Sequence, residues 1–187
     1  MDVELVVRAQ RGEQQAFEAL ALQSHTRLQA VAIGILRDPH LAEDAVQQAM
    51  LGIWRDIGAL RDPAKFEGWS YRLLVRVCYA EAERRRARQV DFQADVAAEP
   101  VAADAYGAVI RRDQLERAFA QLTMDQRTVI VLHYLMDMTL DQVAETLDIP
   151  PGTAYSRISR AMDALRAALE ADARPASPTP VRQEVRR

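Results

Sequence analysis

The sequence predicts an all-α fold: two small helical domains joined by a flexible acidic linker, the C-terminal one containing a helix-turn-helix. Composition points there first. Good helix formers, chiefly alanine, leucine, arginine, glutamate and glutamine, dominate the 187 residues. Glycine occurs only 7 times, and no alternating Val/Ile/Thr run is long enough for a strand. Apolar residues recur at spacings of three and four through both halves. That periodicity lapses between Gln89 and Gly107, which hold Asp91, Asp95, Glu99, Asp104 and Pro100 but no basic residue. The expected division is therefore residues 1–88, a linker over 89–107, a second domain over 108–172, and a flexible tail over 173–187. Pro175, Pro178 and Pro180 prevent that tail from continuing a helix.

In the first half a short helix precedes Gly12. A second is expected from about Glu13 to Ser24, with Ala16, Phe17, Leu20 and Ala21 on one face, and a third from Thr26 to Leu36. Asp38-Pro39 marks a turn. The next helix, about Leu41 to Asp56, turns Ala42, Ala45, Val46, Ala49, Ile53 and Ile57 inward. Its outer face carries Asp44, Gln47, Gln48, Leu51 and Arg55, a polar patch with one exposed leucine that suits a protein partner. After the loop Gly58 to Phe66 a long helix, roughly Glu67 to Arg88, is apolar at Trp69, Leu73, Val77 and Ala80. Trp69 is expected to pack in the core. Arg72, Arg76 and Tyr79 share another stripe, two cations and an aromatic able to meet a phosphate backbone and a base.

The second half begins with a helix marked by Leu115, Ala118, Phe119 and Leu122. Thr123 with Gln126 has capping-box spacing, and Val129, Ile130, Leu132, His133, Tyr134 and Leu135 form the next helix, His133 being a packed histidine. Thr139 with Gln142 repeats the capping box ahead of the Leu140, Val143, Ala144, Leu147 stripe, which Asp148 ends. Pro151 suits the first position of the following helix. There Ala154, Ile158, Ala161, Leu165 and Leu169 line the buried side. Thr153, Ser156 and Arg160 project to the far side, flanked by Tyr155, Arg157 and Ser159. Hydroxyl and guanidinium groups on a helix that follows a tight turn fit a DNA major groove.

A net charge of −3 argues against DNA binding only if charge is spread evenly, and it is not. Arg72 to Arg88 carries six arginines against Glu81 and Glu83, so phosphate attraction is local. Cys78 is the lone cysteine, which excludes an intramolecular disulfide. His40 and Glu43 have metal-ligand spacing but lack further ligands. No nucleophile with its base and no glycine-rich phosphate loop stands out. Neither enzymatic activity nor a metal or cofactor is expected. Arg8, Arg11 and Glu13 interrupt any leader-like apolar start, so a cytoplasmic protein without membrane insertion is expected.

The blocks AFEAL, LRDPHLAEDAVQQAMLGIW, FEGWSYRLLVR and RRR come in that order. They are followed by LERAFAQLTMDQRTVIVLHYLMDMTLDQVAETLDIPPGTAYSRISRAMDALRAAL. Over Ala9 to Leu169 the chain resembles the sigma-70 family, specifically its short extracytoplasmic-function (ECF) group, which keeps only regions two and four. The resemblance implies a sigma factor that binds core RNA polymerase and promoter DNA, with an anti-sigma factor as a further partner. It implies that Asp44, Gln47 and Gln48, with Leu51 and Arg55 on the same face, grip the polymerase largest subunit. The loop before Phe66 and the helix bearing Arg72, Arg76 and Tyr79 would capture the melted minus-ten strand, and Gly152 to Arg160 would read minus-thirty-five duplex. Three positions depart from the family pattern: Arg76 replaces a frequent asparagine, Gln48 a glutamate and Tyr155 a lysine. The alternatives are a stand-alone helix-turn-helix regulator with a sensing or dimerising N-terminal domain, and a module that sequesters another regulator without touching DNA. The first half signals neither an apolar ligand pocket nor a phosphoacceptor, and pure sequestration leaves the paired basic helices unexplained.

Overall fold

The structure, a computed structural model, describes residues 2–91 and 106–173; most of the expected linker and the expected tail lie outside them. The described residues form α-helices α1 (Val3–Gln10), α2 (Gln14–Leu36), α3 (Pro39–Asp56), α4 (Phe66–Asp91), α5 (Tyr106–Gln121), α6 (Met124–Ile130), α7 (Leu140–Leu147) and α8 (Pro151–Ala173). In the first half α2, α3 and α4 pack on one another and α1 closes against α2. In the second, α5, α6 and α7 all pack on α8.

The break expected near His25 is absent, and α2 runs unbroken. Ser24 and Thr26 resemble a stop and a cap in sequence. The Ser24 hydroxyl instead donates to the carbonyl of Leu20 one turn back (2.8 Å), a bond available only within a continuing helix. Leu20, Leu28, Val31 and Ile35 then form one buried line. The helix ends where Arg37 turns left-handed at φ 56°, its N–H on the Ile33 carbonyl.

Asp38 starts α3 by accepting from the N–H groups of His40 (3.0 Å) and Leu41 (3.2 Å), with Pro39 in the first turn. Its carboxylate also takes the Arg85 guanidinium of α4 at 2.9 Å. Burial pushes the Asp38 carboxyl up, but those N–H donors and Arg85 together hold it below the usual range. Replacing Asp38 by alanine is expected to cost about 1–2 kcal/mol in urea unfolding at neutral pH, whereas asparagine, which keeps the cap, loses less. A depressed carboxyl stabilises the fold above the unfolded value of roughly 3.9, and that contribution disappears as pH falls through the folded value. The gap between wild type and Asp38→Asn should accordingly close in acid.

Ala42, Ala45, Val46, Ala49 and Ile53 of α3 are buried, as the period requires. On α4 the most buried line is Phe66, Ser70, Leu74, Cys78 and Glu81, with Tyr71 and Val75 beside it. The expected line Trp69, Leu73, Val77, Ala80 is displaced from it by one residue and only half-buried. The reason is that α4 is covered from two sides, by α2 and α3 and by α7 of the second half. Glu81 ends the buried line paired with Arg84 at 2.8 Å. Trp69 packs partly buried against the core, near Phe66 with ring centres 6.0 Å apart.

Both expected capping boxes form, Thr123 with Gln126 on α6 and Thr139 with Gln142 on α7. The expected helix through Leu135 does not continue as α-helix. After Ile130 it widens into a π-type turn over Val131–Leu135, leaving Tyr134 and Leu135 more than half exposed. His133 Nδ1 lies 2.7 Å from the Met138 carbonyl, a packed position. Leu115 is also exposed; among the described side chains of α5 Ala118 is buried and Phe119 packs half-buried against the core, with buried Leu122 just beyond the helix end. Asp148, left-handed at φ 56°, makes the sharp turn between α7 and α8.

The two halves are in direct contact, and their buried residues join in one cluster. One close approach along the seam is at Gly34 of α2. A β-carbon there would lie 2.7 Å from Val131 Cγ2, so only glycine allows this approach.

Candidate nucleic-acid and partner interfaces

The outer face of α3 is built by its period: while Ala42, Ala45, Val46, Ala49 and Ile53 point inward, Asp44, Gln47, Gln48, Leu51 and Arg55 all stand exposed. Leu51 is 71% exposed, apolar surface set among these polar side chains. Beside it runs an open groove of about 290 Å³ between α3 and α4, lined by Gln48, Leu51, Arg55, Leu73, Arg76 and Val77 among others. The half-buried apolar stripe of α4 is thus one wall of this groove. Arg76, expected beside Arg72 and Tyr79, opens onto the α3 face instead. Arg55 is held by Asp56 through two hydrogen bonds of 2.8 and 2.9 Å. Sequence reasoning passed over Trp54, which is 45% exposed next to this face and meets Phe17 edge-on at 4.6 Å. Its i+3 spacing from Leu51 was the available signal.

Arg72 and Tyr79 face the second half. The Arg72 guanidinium donates to the carbonyls of Thr146 (3.2 Å) and Glu145, the last turn of α7, where unpaired carbonyls and the helix dipole favour a cation. Lys65, just before α4, pairs with the Glu145 side chain at 2.7 Å. The Tyr79 hydroxyl donates to Asp125 at 2.6 Å; burial and that carboxylate push its pKa up to about 12. Asp125 also takes Arg157 of α8 at 3.1 Å. Its carboxylate therefore joins α4 to α8. Sequence reasoning missed Lys65, Asp125 and Arg127, whose Nε donates to the Ile35 carbonyl at 3.0 Å. No local signal marks such pairs, because the partners lie as much as 92 residues apart.

At the start of α8 Pro151, Gly152, Tyr155, Ser159 and Arg160 are exposed. Thr153 and Ser156 are half-buried; the Ser156 hydroxyl donates to the Thr153 carbonyl (3.0 Å) and receives Arg160 at 3.4 Å. The expected central and flanking groups thus trade places in part. Arg157 is turned inward to Asp125, while Tyr155 and Ser159 stand out.

Residues 20–88 match the family model for sigma-70 region 2, and residues 112–165 that for sigma-70 region 4. The ECF RNA polymerase sigma factor SigM of Mycobacterium tuberculosis strain H37Rv is 31% identical over 160 residues, covering 86% of this chain and 80% of SigM. The chain belongs to the sigma-70 family, as an ECF sigma factor. The RNA polymerase sigma-H factor of Pseudomonas aeruginosa is 28% identical over 183 residues, covering 90% of this sigma factor and 94% of that protein. The fold is shared with solved CnrH in complex with the cytosolic domain of CnrY, at TM-score 0.67 and 24% identity, over 91% of this chain and 98% of that one. As a sigma factor the protein directs promoter-specific initiation of transcription, which displaces the alternative of a stand-alone regulator. Among its described residues no helix is long and apolar enough to cross a membrane.

Proposed function

We propose that this sigma factor grips core RNA polymerase through Asp44, Gln47, Gln48, Leu51 and Arg55, and reads promoter DNA with two separate surfaces. Residues 1–88 engage polymerase and the melted minus-ten strand, the strand through Arg72 and Tyr79 and through Arg76 from the neighbouring groove beside α3. Residues 108–172 read minus-thirty-five duplex with Thr153, Tyr155, Ser156, Arg157, Ser159 and Arg160. The linker expected over 89–107 and the tail expected over 173–187 lie mostly outside the described residues, and α4 and α5 extend into the two ends of that linker, to Asp91 and from Tyr106. The observation that carries the reading is the α3 face: five side chains exposed together, a bare leucine among them, opposite an unbroken buried line. Such a factor makes and breaks no bonds; polymerase does the chemistry. It acts in the cytoplasm, where an anti-sigma factor is its expected regulator; the sigma factor RpoE of Bartonella quintana, solved in complex with the anti-sigma factor NepR, shares this fold at TM-score 0.67 and supports that reading.

The duplex-reading half is tested at two arginines. Arg160→Ala should relax preference at one or two positions of the upstream element and cost roughly 1–3 kcal/mol if it pairs with a guanine edge. Arg157→Ala should weaken all sequences alike and lower the salt slope by about one unit. Holoenzyme affinity for a panel of upstream-element variants at two salt concentrations separates these outcomes. An unaltered sequence ranking with Arg160→Ala would place α8 outside the groove.

A further inference from the structure

We infer that the cavity where α2, α4 and α6 meet is a binding site for a small phosphate anion, a diphosphate above all, held by Arg85, Arg86 and Arg127. The site lies apart from the polymerase and DNA surfaces proposed above and does not rest on them. The cavity is about 190 Å³, and three of its eight lining residues are arginines. Its wall carries more positive charge than the described residues balance. Asp38 pairs with Arg85, but its oxygens are already committed, Oδ1 to the N–H groups of His40 and Leu41 and Oδ2 to Arg85 itself. Arg86 is exposed, and among the described residues it has no carboxylate partner. Arg127 is half-buried and meets only main chain: Nε donates to the Ile35 carbonyl at 3.0 Å and Nη1 to the Leu122 carbonyl at 2.9 Å. Among the described residues its Nη2 is left without an acceptor. Burial, and then the charge of nearby Arg37, press the Arg127 guanidinium below its ordinary range.

Capping the end of α2 at Ile35 accounts for one edge of Arg127. It accounts neither for Nη2 nor for Arg86 on the same wall. A guanidinium withdrawn from water beside a like charge is costly unless an anion compensates it. Planar guanidinium forks match the paired oxygens of a phosphate group, and several of them together suit an ion that carries more than one charge. The volume limits what can enter. Pockets for drug-sized molecules run to roughly 300–1,000 Å³, so this one takes one or two phosphate groups and not a nucleic-acid strand with its bases. Leu36, Leu41 and Met124 supply apolar wall beside the arginines, where a charge pair is screened less than on an open surface.

Titration calorimetry of the full chain with inorganic diphosphate tests the site. Saturable binding of one anion per chain is expected, and Arg127→Gln should weaken it by roughly tenfold or more, the loss of a charge-assisted bond. Arg86→Ala should weaken it similarly. Arg86 is exposed and makes no bond within the fold, so that variant covers the case in which Arg127→Gln fails to fold. Arg88→Ala, an exposed arginine of the same helix outside the cavity wall, should leave binding unchanged. A nucleoside diphosphate titrated in parallel separates two sources of one chemistry. Binding as tight as that of diphosphate means that the cavity takes a terminal group of a larger molecule, and weaker binding that it takes the free anion; either supports the site. No saturable heat at millimolar diphosphate would overturn it, as would an equal loss from Arg88→Ala, which would mean only a diffusely basic helix end. Displacement of diphosphate by a short single-stranded oligonucleotide at equal phosphate concentration would make the cavity part of a nucleic-acid track and overturn the small-anion assignment.

Discussion

Asp44→Lys combined with Gln48→Lys is expected to remove stable association with core RNA polymerase while leaving the fold intact. Both side chains are exposed, on a helix whose opposite face is buried, so substitution disturbs no packing. Reversing one charge and adding another over a patch centred on Leu51 sets like charges against whatever basic groups complement Asp44, and desolvates two ammonium groups against an apolar leucine. Charge juxtaposition of this kind costs several kcal/mol at an interface. The double variant should elute apart from core in size exclusion and yield little promoter-dependent transcript, with a helical circular-dichroism spectrum and urea midpoint near wild type. Unchanged co-elution would reject this face.

A comparably large effect on stability is expected at Phe66. Its ring, 1% exposed, opens the buried line of α4 beside Trp69. Phe66→Ala removes a large buried side chain at the point where the turn Pro63–Lys65 hands over to α4, and should cost about 3–5 kcal/mol. For a domain stabilised by roughly 5–15 kcal/mol that is a large fraction, visible as a lowered urea midpoint. Because α4 carries one wall of the groove and both Arg72 and Tyr79, both proposed surfaces of the first half should weaken together. A midpoint unchanged by the substitution would mean that α4 is not anchored there.

What sequence made legible is what depends on near neighbours. The two capping boxes, the Asp38-Pro39 turn, the stop at Asp148 and the two-faced α3 all follow from residues within a turn or two of each other, although α3 starts at Pro39, two residues before the expected Leu41. Errors arose where local signals were ambiguous or where partners were distant. Ser24 looked like a helix end, yet a hydroxyl can bond one turn back as readily as cap. The apolar stripe of α4 was read for a helix with one buried side, whereas contact with α7 covers a second and moves the buried line by one residue. Tyr134 and Leu135 kept the helical period but sit in a π-type turn that swings them outward. The engagement of Arg72, Tyr79 and Arg157 could not be read at all, since nothing local distinguishes an arginine awaiting phosphate from one held by Asp125 or a helix end.

In the proposed function the exposed α3 face delivers this sigma factor to polymerase and its two halves then select a promoter. Multi-round run-off transcription tests it most directly: the purified chain is mixed with core RNA polymerase on templates carrying candidate upstream and minus-ten elements, with the Asp44→Lys/Gln48→Lys variant in parallel. A discrete transcript with wild type, dependent on both elements and absent with the variant, is the predicted result. Equal transcript from wild type and variant, or none with wild type on any promoter-bearing template while core binding is intact, would contradict it.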